Sequence, residues 1–112
     1  MKFMLLFAGG DPDRTIGARQ SKEKEDQMRR WGEWLAGLSK QGVLESGRPF
    51  LETGRVVTRD SVTEFHKGKR DFAGYVILEV PDEEEAIAIA KTAPHIVYGG
   101  TTVIRPCAEI PE

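Results

Sequence analysis

The last third of the chain constrains its fold most. Residues 74 to 80, GYVILEV, form an apolar run that Pro81 ends, and PDEEEAIAIAKTAPHIVYGGTTVIRP carries the chain on to residue 106. The segment reads as strand, helix and strand: Asp82 stands as helix N-cap with Glu85 three places on, Pro94 closes the helix, and a Gly99-Gly100 turn feeds the final run from Thr101 to Cys107. Glu83, Glu84 and Glu85 oppose the positive end of the helix dipole. Ala86, Ile87, Ala90 and Ala93 give this helix a narrow face of small residues that can lie close to a sheet.

The chain opens in the same way. MKFMLLF is apolar at both parities, with Phe3, Leu5 and Phe7 on one face of the strand and Met4, Leu6 and Ala8 on the other. A strand of that kind needs cover on both sides. Gly9 to Arg19 holds Gly-Gly, Asp-Pro-Asp and no periodicity, and reads as a loop. A helix is expected over roughly 22 to 41, with Ser21 as N-cap, Glu23 and Glu25 in its first turn and Gly42 as left-handed C-terminal cap. Met28, Trp31, Leu35 and Leu38 recur along it at spacings of three and four, with Trp34 at the edge of the stripe, so this face packs on a sheet. The middle, Val43 to Phe72, divides into VLESGRPFL, GRVVT and SVTEF, expected as two or three short strands joined as hairpins. In the strand that follows, Tyr75, Ile77 and Glu79 share one face and Val76, Leu78 and Val80 the other.

Two β-α-β units of this kind make an α+β chain, a ferredoxin-like antiparallel sheet with two helices on one face, in one domain over residues 1–112. Two helices cover one face of the sheet, and the other needs a partner sheet, so a homodimer is expected. Net charge is −2, from 16 Lys plus Arg against 18 Asp plus Glu, which gives no field to recruit nucleic acid or a membrane surface. The single Cys107 has no disulfide partner within the chain, and neither a leader-like N-terminus nor a long apolar span is present, so a cytoplasmic setting is expected.

The opening MKFMLLF, the helix bearing Trp31-Gly32-Glu33-Trp34 and leading to Gly42, the GYVILEV strand, Glu85-Ala86 with Ala90, Pro94, and the closing VIRP at 103 to 106 together resemble the YCII-related family, in the branch named for a DGPF motif. The resemblance runs nearly end to end and implies a cytoplasmic dimer in which two ferredoxin-like domains form a dimeric α/β barrel. It implies no settled activity. In some members a His on the first helix and an Asp before the proline after the second are suspected of catalysis, in a cleft between helix and sheet. Here the first helix has no histidine, and Ala93 stands where the Asp would be, so neither half of the dyad carries over. The four places of the motif fall on Val62, Thr63, Glu64 and Phe65, and only the phenylalanine survives.

Other residues would have to supply a site. His66, beside Phe65 and Lys67, titrates near neutral pH as an acid or base, or is a surface histidine in a Lys-rich loop. Glu79 shares a strand face with Tyr75, and Arg105 lies on a strand otherwise apolar, so Glu79 and Arg105 form a structural ion pair, or Arg105 with Tyr75 holds a small carboxylate or phenolate ligand. His66, Tyr75 and Arg105 are therefore the candidate ligand-binding residues, between helix one, the 62–72 segment and the central strand. His95, directly after Pro94, reads as a complement to the carbonyl end of the second helix. Cys107 reads as a buried small hydrophobe. Gly9-Gly10 is a plain turn, since no phosphate-loop pattern follows and Asp11 and Asp13 repel anions. No metal-ligand spacing appears, and neither metal nor cofactor is expected. Two readings of function stay open: a small-molecule-binding protein or enzyme using the dimer cleft, and a non-catalytic dimeric interaction or regulatory module.

Overall fold

The computed structural model describes residues 1–9, 21–51, 53–66, 68 and 71–111, with the side chains of 21–24 left aside. The expected loop after Gly9, with Asp11 and Asp13, and the capping side chains of Ser21 and Glu23 lie outside the described residues.

The elements run β1 (Lys2–Ala8), α1 (Ser21–Lys40), β2 (Leu44–Pro49), β3 (Arg55–Val57), β4 (Val62–Glu64), β5 (Phe72–Glu79), α2 (Glu83–Ala90), a 3-10 turn (Ile96–Tyr98) and β6 (Thr101–Pro106). Four strands form one antiparallel sheet in the order β2-β5-β1-β6. With α1 between β1 and β2, and α2 between β5 and β6, this is the ferredoxin-like arrangement. The strands apolar at both parities, β1 and β5, are the two in the middle, as their composition requires. The middle of the chain is a correction in part: β3 and β4 do form a separate hairpin, but β2 does not join it and instead pairs with β5 at the sheet edge.

Register decides which side chains meet. Leu5 lies between Val76 on β5 and Ile104 on β6, and Phe3 between Leu78 and Pro106. Paired residues share a face, so Phe3, Leu5, Phe7, Val76 and Leu78 form one wall, all buried, against Leu38 of α1 and Ala86 and Ala90 of α2. Each such large side chain contributes about 1.5–3 kcal/mol of apolar burial. Gly42, at φ +77°, turns the chain out of α1, a left-handed backbone that a side chain would strain. Asp82 caps α2 as expected, its Oδ1 accepting from the Glu85 N–H at 2.9 Å.

Two helix positions differ from expectation. Met28 is 56 % exposed rather than core, because the buried stripe of α1 centres between Trp31 and Leu38, about 70° around the helix from Met28. Ile87 is 40 % exposed: α2 touches the sheet along Ala86 and Ala90, with Ala93 just beyond, and Ile87 falls to the side of that line while Ile89 packs against the core. Cys107 is half-buried rather than buried, since β6 ends at Pro106 and the residue after it leaves the sheet's shelter.

The other face of the sheet carries Met4 and Leu6 of β1, Tyr75 and Ile77 of β5, and Val103 of β6, row by row across the pairings. Neither helix lies on it, and each of these residues keeps solvent exposure. At its rim the Lys2 ammonium donates to the Glu45 carboxylate, a hydrogen bond and then a charge contact that together raise the Lys2 pKa.

Candidate functional site

A cluster of rings lies between α1 and the sheet where β1 ends. Phe7 comes from β1, Trp31 and Trp34 from adjacent turns of α1, and His95 from the turn after α2. Phe7 meets Trp31 and Trp34 edge-on, with centroids 5.0 and 5.7 Å apart, and the two indoles meet at 84°. The imidazole of His95 stands edge-on to Phe7 at 5.2 Å and lies at a shallow 36° to Trp31 at 5.4 Å. The Trp34 indole N–H donates to Thr92 Oγ1 at 2.8 Å, and the Thr92 hydroxyl donates to the Ile89 carbonyl, tying α1 to the end of α2. The one polar end of Trp34 is therefore satisfied and its apolar body is left to the cluster.

His95 is 3 % exposed. Its Nε2–H donates to the Thr101 carbonyl at 2.8 Å, and the Thr102 hydroxyl lies 3.4 Å from the same nitrogen. A carbonyl only accepts, so Nε2 carries the proton and Nδ1 of the neutral ring holds a lone pair. Among the described residues Nδ1 is buried without a hydrogen-bond partner. Burial lowers the His95 pKa, and the bond to Thr101 only partly opposes that. The ring is also fixed from behind: a Cβ at Gly100 would fall 2.8 Å from His95 Cγ and 2.8 Å from its carbonyl oxygen, so only glycine fits there. The expectation that His95 complements the carbonyl end of α2 is thus corrected. It is an imidazole held inside an aromatic cluster, with Nδ1 unpartnered among the described residues.

The three residues expected to bind a ligand are spread out. His66 follows β4 and is exposed. Tyr75 lies on β5, stacked on Phe50 at 5.9 Å, and pairs with Leu6. Arg105 lies on β6 opposite Met4. Tyr75 and Arg105 share the helix-free face, with β1 between them and two residues of stagger along it, so their backbones stand about 12 Å apart. The expected Glu79–Arg105 ion pair is not formed: Glu79 lies 3.8 Å from the N-terminal amine of Met1. Among the described residues no group of three His, Cys, Asp or Glu side chains could hold a metal ion, and no helix is long and apolar enough to cross a membrane.

The profile of the YCII-related domain matches residues 1–109. The chain belongs to the YCII-related family. Among curated proteins none matches. Among solved structures the chain is similar to 5-chloro-2-hydroxyhydroquinone dehydrochlorinase from Burkholderia phenoliruptrix AC1100, determined in complex with 2,5-dihydroxybenzoquinone. The similarity has a TM-score of 0.60 at 16 % identity and covers 96 % of this chain and 94 % of that one, which shows a shared fold. Within this YCII-related chain the imidazole stands one place past Pro94 rather than on α1, and reaches the space between α1 and the sheet from the opposite side. The sequence carried a signal for it: a histidine just behind a helix-stopping proline, with two tryptophans at i and i+3 and a phenylalanine on the facing strand. Reading His95 along its own helix alone hid the signal, because the ring's neighbours come from β1 and α1.

Proposed function

We propose that this protein binds a small organic molecule at the His95 cluster and works as a homodimer. The observation that carries the binding site is the buried Nδ1 of His95, an acceptor left without a partner among the described residues and fixed in place by Thr101 and Gly100. An unmatched buried acceptor costs about 1–3 kcal/mol, which a ligand donor would recover. The rings of Phe7, Trp31 and Trp34 supply the flat apolar surroundings typical of small-molecule sites. The complex of the structurally similar dehydrochlorinase with a small quinone supports this reading by analogy of fold.

The dimer reading rests on the helix-free face. Met4, Leu6, Tyr75, Ile77 and Val103 make a continuous apolar surface on a sheet whose other face is already covered. A second copy laid against it would form the dimeric α/β barrel and place Tyr75 and Arg105 at the dimer cleft, where with His66 they remain candidates for polar contacts to a ligand. No charge excess calls for nucleic acid, and a cytoplasmic setting fits a chain with one unpaired thiol.

A compound screen read by thermal shift and by Trp31 and Trp34 fluorescence tests the binding site. Hits should raise the melting temperature and change the indole emission, and His95→Phe should weaken both responses. A screen without hits, or hits indifferent to His95→Phe, favours the non-catalytic dimeric module.

A further inference from the structure

We infer that the ligand of the His95 cluster is a neutral, flat ring bearing a hydroxyl, and that His95 Nδ1 accepts the hydrogen bond from that hydroxyl. The inference rests on the small-molecule reading above and adds the chemical class. The tautomer supplies its first step. With Nε2–H committed to the Thr101 carbonyl, the remaining nitrogen presents a lone pair and no proton, so it selects a donor and rejects a carbonyl or ether oxygen.

Charge supplies the second step. The described groups that meet the imidazole include Phe7, Trp31, Thr101 and Thr102, and none of these is ionic. Among the described residues a carboxylate or phosphate ligand would find no counter-charge in these groups, which is strongly unfavourable. The donor is therefore a neutral O–H on an apolar body. Shape supplies the third. Phe7, Trp31 and Trp34 present edges and faces at steep angles to one another, an arrangement that adds one more flat ring by edge-to-face or offset stacking more readily than a branched aliphatic group. Nothing in the step breaks a covalent bond: the hydroxyl proton stays on oxygen and is shared with Nδ1.

Phenol, anisole and benzoate are the probes, titrated into the full-length protein while the nitrogen resonances of 15N-labelled His95 and the tryptophan emission are followed. Phenol should bind roughly five- to tenfold more tightly than anisole, the worth of one net neutral hydrogen bond. It should move the Nδ1 resonance while Nε2 stays protonated, benzoate should not compete, and in His95→Phe phenol and anisole should bind alike. Because the native protein alone gives the phenol-to-anisole ratio and the resonance shift, the test survives a variant that fails to fold. Equal binding of phenol and anisole with an unmoved Nδ1 resonance overturns the acceptor role, while leaving the cluster as a small-molecule site if both change the indole emission. Tightest binding by benzoate overturns the neutral-ligand class. No response of His95 or the indoles to these probes, nor to any screened compound, overturns the inference and the small-molecule reading together.

Discussion

The two faces of one sheet obey different rules. On the covered face, Phe3, Leu5, Val76 and Leu78 are closed off by side chains of α1 and α2, and at its end the packing holds a polar group that hydrophobic burial alone would not place there, the imidazole of His95. On the helix-free face the side chains are just as apolar, yet Met4, Leu6 and Ile77 keep solvent exposure, and the polar groups, Arg48 opposite Tyr75 and Arg105 opposite Met4, stand in the open. A sheet with one wet face ordinarily alternates apolar and polar along each strand, and β1 and β5 do not. Among the described residues the first face holds an unpartnered ring nitrogen, and the second an uncovered apolar surface. The partners proposed for them differ accordingly, a small molecule for one and a second copy for the other.

Neighbouring leucines of β1 give the sharpest contrast. Leu5→Ala should lower the unfolding free energy by about 3–5 kcal/mol, since Leu5 is fully enclosed. Leu6→Ala, one residue along, should cost less in dilute protein, and, if the proposed dimer forms, its cost should grow with protein concentration. Denaturant titrations of both variants at low and high concentration check this; equal and concentration-independent losses would erase the distinction between the faces.

Next in size is Trp31→Ala. Its indole touches Phe7, Trp34 and His95 at once, and removing it should cost about 3 kcal/mol while opening the His95 cluster to solvent. An unchanged melting temperature would place Trp31 outside the core.

The pH dependence should be smaller and has a definite sign. His95 titrates at 6.5 when unfolded and below that when folded, so the unfolded state binds more protons between the two values. Stability should be level above pH 6.5, fall as the pH drops from 6.5 through the folded value, and level off again as far as His95 is concerned. His95→Phe should remove that part of the slope in urea melts taken between neutral and acid pH, and a slope unchanged in the variant would assign it to other groups. Smallest is Asp82→Ala, which loses the cap on the Glu85 N–H at the far end of the covered face and should cost about 1 kcal/mol by thermal denaturation.

The apolar character of β1 and β5 at both parities, the Asp82 cap, Pro94 and Gly42 made the fold legible in the sequence, because each is a local signal whose meaning depends on its own neighbours. Met28 and Ile87 misled because periodicity gives a helix a buried side without fixing its centre, and the centre is set by what the sheet offers. Glu79 and Arg105 misled for a related reason: opposite charges on nearby strands pair only if register brings them together, and the N-terminal amine reached Glu79 instead. The signal for His95 was hidden in a reading along its own helix because the ring's surroundings are made by distant segments. Thr101 sets its tautomer, Gly100 its position, and Phe7 and Trp31 its burial, and no spacing within one helix encodes that.

The state of the His95 ring is the point on which the functional account turns, and 15N NMR of the uniformly labelled, ligand-free protein at neutral pH reads it directly. The account predicts a neutral imidazole with the proton on Nε2 and an unprotonated Nδ1 whose resonance lies in the range of a lone-pair nitrogen free of hydrogen bonding. A proton on Nδ1, or a doubly protonated ring, would contradict it.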